Sequence, residues 1–157
     1  MQTDWTVRAI TRAMLPVLLA LTIVELGSGL VLGSFETELL RSPSLLILVP
    51  VTIGTAGNLG SILAARLSTA FHLGTLSFDP TDDTLVGNAV ATVLLAATVF
   101  PLIGAGAWGL AELTAGARLP ALTVVVVAVL SGLVLSVLAV TVTAIATYAA
   151  YRFELDP

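Results

Sequence analysis

The 157-residue chain contains no cysteine, no lysine and a single histidine, His72. The first absence removes disulfides, thiolate metal sites, iron–sulfur clusters and cysteine nucleophiles together. The lone histidine leaves no His-based metal cage and no Ser/His triad with spare candidates. Charge is almost as scarce. Charged residues make up 10% of the chain, against about 25% in ordinary soluble domains. All six basic residues are arginine, and ten acids bring the net charge to −4. Such a chain has no basic patch to neutralise phosphates, which argues against nucleic acid as a partner.

Apolar side chains are abundant instead: they account for 57% of the residues, and the mean hydropathy is +1.07. The few charges cannot coat a soluble surface. They fall in clusters between apolar runs of about 20 residues or more, the length that crosses a hydrocarbon core about 30 Å thick. The pattern predicts an all-α polytopic membrane protein with four transmembrane helices, at about 14–33, 45–67, 85–110 and 121–151. The last run is too short for two spans and a turn, so it reads as one long helix.

Short polar stretches separate the spans, so consecutive helices are expected to be antiparallel neighbours. Ser42 and Pro43 suit the N-cap and first turn of the second span, and Thr81 followed by Thr84 reads as the start of the third. Arginines near the span ends fall four to two, Arg8, Arg12, Arg66 and Arg152 against Arg41 and Arg118. That count places both termini in the cytoplasm of a multi-pass protein of the plasma membrane. No soluble domain is expected at either end, and the whole chain, 1–157, reads as one transmembrane domain surrounded by membrane lipid.

Polar residues inside apolar spans carry the functional information. Glu25 sits in the first span, where an ionised acid costs on the order of 2.5–3.5 kcal/mol, so it has to face protein or water. Thr22, Ser28 and Gly29 share its face. Two readings stand: a ligand in an ion or proton pathway, or a protonated acid hydrogen-bonded between helices.

The second span is odder. From Pro50 to Ser61 it holds a proline, three glycines, two threonines, an asparagine and a serine. Such a segment is expected inside protein or beside a water-filled cavity. Gly54, Asn58, Ser61 and Ala65 fall on one face with Gly57 beside them. That face offers a carboxamide and a hydroxyl to a hard cation, with room for its water shell. Magnesium suits it, because Mg²⁺ gives up water reluctantly. The alternative is a tight helix crossing served by Gly57 and Ser61. Pro101, Gly104 and Gly106 imply a bend in the third span. Ser136, Thr143, Thr147 and Gly132 in the fourth read as packing groups.

At the end of the second span, Arg66 is expected to snorkel or to pair with a loop acid, and His72 to be interfacial. Asp79, Asp82 and Asp83 are candidates for a divalent-cation vestibule, though a solvated acidic loop explains them better and no EF-hand spacing is present. No paired carboxylates or nucleophile with a base are visible, so no enzyme and no cofactor is expected.

The stretch PVTIGTAGNLGSILAARLSTAFHLG, Pro50 to Gly74, closely resembles the second-helix signature of MgtE-type divalent-cation transporters and their solute-carrier relatives. Pro50, Gly54, Gly57, Asn58, Ser61 and Arg66 to Thr69 carry the likeness. Leu15-Pro16 with Leu32 to Glu36 is similar to the first helix of that family, and Arg152 to Pro157 to the end of its fourth. The resemblance implies a divalent-cation transporter or channel module moving hydrated ions, most directly Mg²⁺, with a pore lined by the second and fifth helices of a dimer. It also implies a pore aspartate on a fifth helix, which this sequence does not contain. Either the sequence is part of a longer protein, or a second MgtE-like module supplies the fifth helix, or the four helices make a different site with Glu25 as a substitute acid; the partner is a second copy in a homodimer or such a module. A non-transporting assembly subunit is the alternative.

Overall fold

A computed structural model describes residues 7–77, 79 and 81–152, apart from the side chains of residues 9, 10 and 13. Asp4, Pro80 and the segment 153–157, the last being part of the sequence likeness, lie outside the described residues. The fold is all-α: α1 (Val7–Ser34), α2 (Glu36–Arg41), α3 (Pro43–His72), α4 (Asp83–Thr114) and α5 (Ala121–Arg152). Four stretches are long and apolar enough to span a membrane: Met14–Ser34, Pro43–His72, Asp83–Thr114 and Ala121–Arg152. The expected spans are thus present, and the helices run several residues past the apolar runs that announced them. α5 is one helix of 32 residues, as its length required.

By contacts the chain divides into two compact units, residues 1–41 and 42–157. In the first, α1 has no buried residue among those described. Its hydroxyls bond its own backbone, Thr22 to the Leu18 carbonyl at 2.8 Å and Ser28 to the Glu25 carbonyl at 2.8 Å. This is how a lone hydroxyl is satisfied in hydrocarbon. The short α2 falls where the sequence suggested only a loop. Glu36 and Glu38 occupy its first turn and Arg41 its last, an order that opposes the helix dipole favourably at both ends.

In the second unit α3, α4 and α5 pack pairwise. The contacts fix the directions. Leu48 of α3 clusters with Ala107 of α4 and with Val124 and Ala128 of α5, whereas Leu63 and Leu67 meet Leu85 and Val140. α4 therefore runs against both neighbours, and α3 and α5 run alongside each other. Each helix buries one stripe at three-, four- or seven-residue spacing: Ser44, Leu48, Thr52, Leu59, Leu63 and Leu67 on α3; Thr92, Ala96, Phe100, Gly104, Ala107 and Ala111 on α4; Val124, Ala128, Gly132 and Ser136 on α5.

The stripes on α4 and α5 are rich in small residues because lipid tails give apolar side chains no reason to leave them. Helix association in a membrane comes from close approach and dispersion instead. Gly104 lies under the α5 backbone, where a Cβ would come 2.8 Å from Val125 Cα. At Gly132 a Cβ would come 2.1 Å from Phe100 Cγ, so the ring rests directly on the glycine. Phe100 is 1% exposed. Pro101, the next residue, sits inside an uninterrupted α4.

The loop before α4 corrects one detail of the sequence reading. Asp82, not Thr81, is the N-cap: its carboxylate accepts from the amides of Thr84 at 2.8 Å and Leu85 at 3.1 Å. Aspartate outranks threonine at this position because a charged oxygen faces the positive end of the helix. Ser42 does occupy the N-cap of α3 with Pro43 behind it, but its side chain makes no capping bond.

Candidate functional site

α3 is helical without interruption from Pro43 to His72, through Pro50 and all three of its glycines. Its two faces differ in volume. The Leu-rich stripe fills the core, and the small, polar strip lies outside it, flanked by exposed Val51, Ile53 and Ile62. Pro50, Gly54, Gly57, Asn58, Ser61 and Ala65 are all exposed. The sequence placed this segment inside protein; within the single chain its small, polar face is uncovered. A Cβ at Gly54 or Gly57 would meet nothing within 4 Å.

The close crossing falls one residue short of Ser61, at Gly60, which faces α5. Thr143 Oγ1 donates to the Gly60 carbonyl at 3.4 Å, and a Cβ on Gly60 would lie 3.8 Å from that of Ala139. The packing reading of Gly57 and Ser61 therefore does not describe the contacts among α3, α4 and α5.

The exposed face offers hydrogen-bond acceptors. Ser61 Oγ gives its proton to the Gly57 carbonyl at 3.0 Å, which leaves lone pairs outward. The Asn58 carboxamide makes no hydrogen bond to any described residue, and Asn58 lies at the middle of the 30-residue helix. A further acceptor was missed by the side-chain reading. Pro50 has no N–H, so the carbonyl four residues earlier, that of Leu46, has no α-helical donor. Leu46 is 43% exposed. The signal was in the sequence: a proline inside a helix always frees the carbonyl one turn before it.

Glu25, the acid singled out in the first span, is exposed on α1 in the other compact unit, and its carboxylate bonds no described residue. The loop acids are differently employed. Asp82 accepts from Ser77 N at 2.9 Å and Ser77 Oγ at 2.7 Å as well as from the α4 amides. These donors hold its carboxyl down at about 2, well below the usual aspartate value. Asp79 accepts from Thr81 Oγ1 at 2.6 Å and Thr81 N at 2.8 Å, which lowers it too. Asp83 is exposed in the first turn of α4. Among the described residues no three His, Cys, Asp or Glu side chains are grouped to hold a metal ion.

At the far end of α3, His72 Nδ1 lies 2.8 Å from the Ser68 carbonyl, and the Phe71 ring packs against Tyr151 of α5 with centroids 4.1 Å apart and planes tilted by 50°. Both fit an interfacial belt. Arg66 forms no salt bridge with a described acid, in keeping with a side chain extended toward water.

The family model described as MgtE, divalent cation transporter, matches residues 49–157, which contain most of α3 and all of α4 and α5. No curated protein and no solved structure matches the chain.

Proposed function

The chain belongs to the MgtE family of divalent cation transporters, and on that premise we propose that it conducts hydrated Mg²⁺ along the exposed face of α3. The observation carrying this reading is that the face holds acceptors at its centre and no competing bulk. A hydrated divalent cation presents water hydrogens outward, so its second shell needs acceptors, not donors. Asn58 Oδ1 and the Ser61 lone pairs meet that need, with the Leu46 carbonyl about three turns away along the same helix. Pro50 frees that carbonyl, and Gly54 and Gly57 leave room for the water shell.

Acceptors alone orient water without supplying charge, and an ion leaving bulk water requires compensation. Glu25 is our candidate for that acid, and a carboxylate on a fifth helix from a second MgtE-like module is the competing source. An uncovered face cannot line a pathway by itself, which favours a homodimer or such a paired module. We place the protein in the plasma membrane with both termini cytoplasmic, as one transmembrane domain over 1–157. The family is one of transporters, so the proposed role involves no covalent chemistry and no resident cofactor.

Mg²⁺ uptake into proteoliposomes tests this. Wild-type chain should load vesicles and Asn58→Leu should not, while Glu25→Gln separates the two sources of charge. Loss of flux in Glu25→Gln supports the internal acid; retained flux shows that the chain conducts without Glu25. A folded, inserted wild-type chain that never conducts would show that the pathway needs a fifth helix beyond these residues, or that the chain is a non-transporting subunit; co-reconstitution with an MgtE-like module that carries the helix separates the two.

A further inference from the structure

The sequence reading used Arg8 and Arg12 only to count charge. In the structure they lie one turn apart on α1, a spacing that puts both side chains on one face. With Thr11, Leu15 and Pro16 they line a cleft of about 630 Å³. All five residues are exposed, and neither arginine has an ion pair with a described acid. Asp4 lies outside the described residues.

Depth decides what such a cleft meets. The apolar span of α1 begins at Met14. At 1.5 Å per residue, Arg12 stands about 3 Å and Arg8 about 9 Å beyond it along the axis. The headgroup layer on each side of a bilayer is about 5–8 Å thick, so the Arg12 backbone stands within it and that of Arg8 at its outer edge. The cleft changes character over the same distance, from Arg8, Thr11 and Arg12 to Leu15 and Pro16. Its polar end matches a phosphate and its apolar end the first carbons of an acyl chain.

We propose that this cleft binds the headgroup phosphate of an anionic phospholipid. Guanidinium forks form paired N–H···O bonds to phosphate oxygens, and the Thr11 hydroxyl can donate a further one. Two fixed positive charges favour a headgroup that keeps its net negative charge over one whose choline cancels it. The inference concerns α1 alone and stands whether or not α3 carries ions.

Native mass spectrometry of the full chain, released from micelles doped equally with phosphatidylglycerol and phosphatidylcholine, reads the preference directly. Wild type should retain phosphatidylglycerol selectively. Each of Arg8→Gln and Arg12→Gln should reduce that selectivity about fivefold, and the double variant should abolish it. Arg41→Gln, in the same compact unit but at the other end of the span, should leave it intact. The double lysine variant keeps both charges and guards against misfolding as an explanation, so it should retain most of the selectivity. Equal retention of the two lipids by wild type would overturn the proposal, as would selectivity surviving in the double glutamine variant. Displacement of the lipid by millimolar inorganic phosphate would reassign the cleft to a free anion and overturn the lipid assignment.

Discussion

Gly132→Ala tests the packing of α4 on α5 at its tightest point. An ideal Cβ there falls 2.1, 2.3 and 2.5 Å from three atoms of the Phe100 ring, whereas carbon atoms rest about 3.5–4.0 Å apart. The ring would have to withdraw by more than 1 Å. It is held by Leu59, Ala96 and Ile103, so the withdrawal displaces α3 as well as α5. Overpacking of this kind costs about 1–3 kcal/mol. Alanine also favours the helix over glycine by up to about 1 kcal/mol, which partly offsets the loss.

Gly106 and Gly109 provide the correction, since a Cβ at either meets nothing within 4 Å. Their alanine variants report the helix-propensity gain alone. Subtracting that gain from the Gly132→Ala change should leave a contact penalty of about 1–3 kcal/mol, read by thermal unfolding in micelles. In the background of Phe100→Leu, which removes the ring, Gly132→Ala should cost markedly less. Gly132→Ala as benign as Gly106→Ala, or an undiminished penalty once the ring is gone, would refute the proposed contact.

Three further outcomes follow from the same geometry. Pro50→Ala supplies the N–H that the Leu46 carbonyl lacks, so it should stabilise α3 while lowering Mg²⁺ flux; unchanged flux would remove that carbonyl from the pathway. Thr143→Val should cost no more than about 0.6 kcal/mol, a typical worth for a hydrogen bond between membrane helices, because its bond to Gly60 is long at 3.4 Å; a loss several times larger in a melting experiment would show that the bond does more than join α3 to α5. The folded pKa of Asp82 is depressed from 3.8 to about 2, so its cap stabilises fully above about pH 4 and is lost as pH falls toward 2; melting profiles of wild type should therefore drop across that window, and those of Asp82→Asn should drop less, equal drops speaking against the cap.

The spans were legible because a bilayer imposes one length on every crossing helix, and the four apolar runs met it. Their ends were harder to read. Helices continue past the hydrocarbon as long as residues such as Ser68 to His72 or Glu112 to Thr114 tolerate the conformation, and hydropathy does not register that. α2 was missed because six residues hold too few turns for periodicity to show. Asp82 lost to Thr81 in the sequence reading because the cap depends on which side chain turns back to the first amides, with Ser77 completing the arrangement from five residues away.

On α3 the pattern identified which residues share a face but not which way that face points. Both the lining of a pathway and a helix crossing call for small residues, and sequence does not distinguish them. The structure does so for the single chain: Gly60 takes the crossing, and Gly54, Gly57, Asn58 and Ser61 stay outside it. The Leu46 carbonyl shows a different gap, since an acceptor created by a missing donor is invisible when only side chains are read.

The central claim, that the Asn58 face of α3 carries hydrated divalent cations, is tested most directly by Mg²⁺ flux into proteoliposomes containing wild-type chain, Asn58→Leu or Asn58→Gln at matched insertion. The account predicts flux in wild type, none with leucine, and partial flux with glutamine, which keeps the carboxamide acceptor at a different reach. Equal flux in wild type and Asn58→Leu would contradict it.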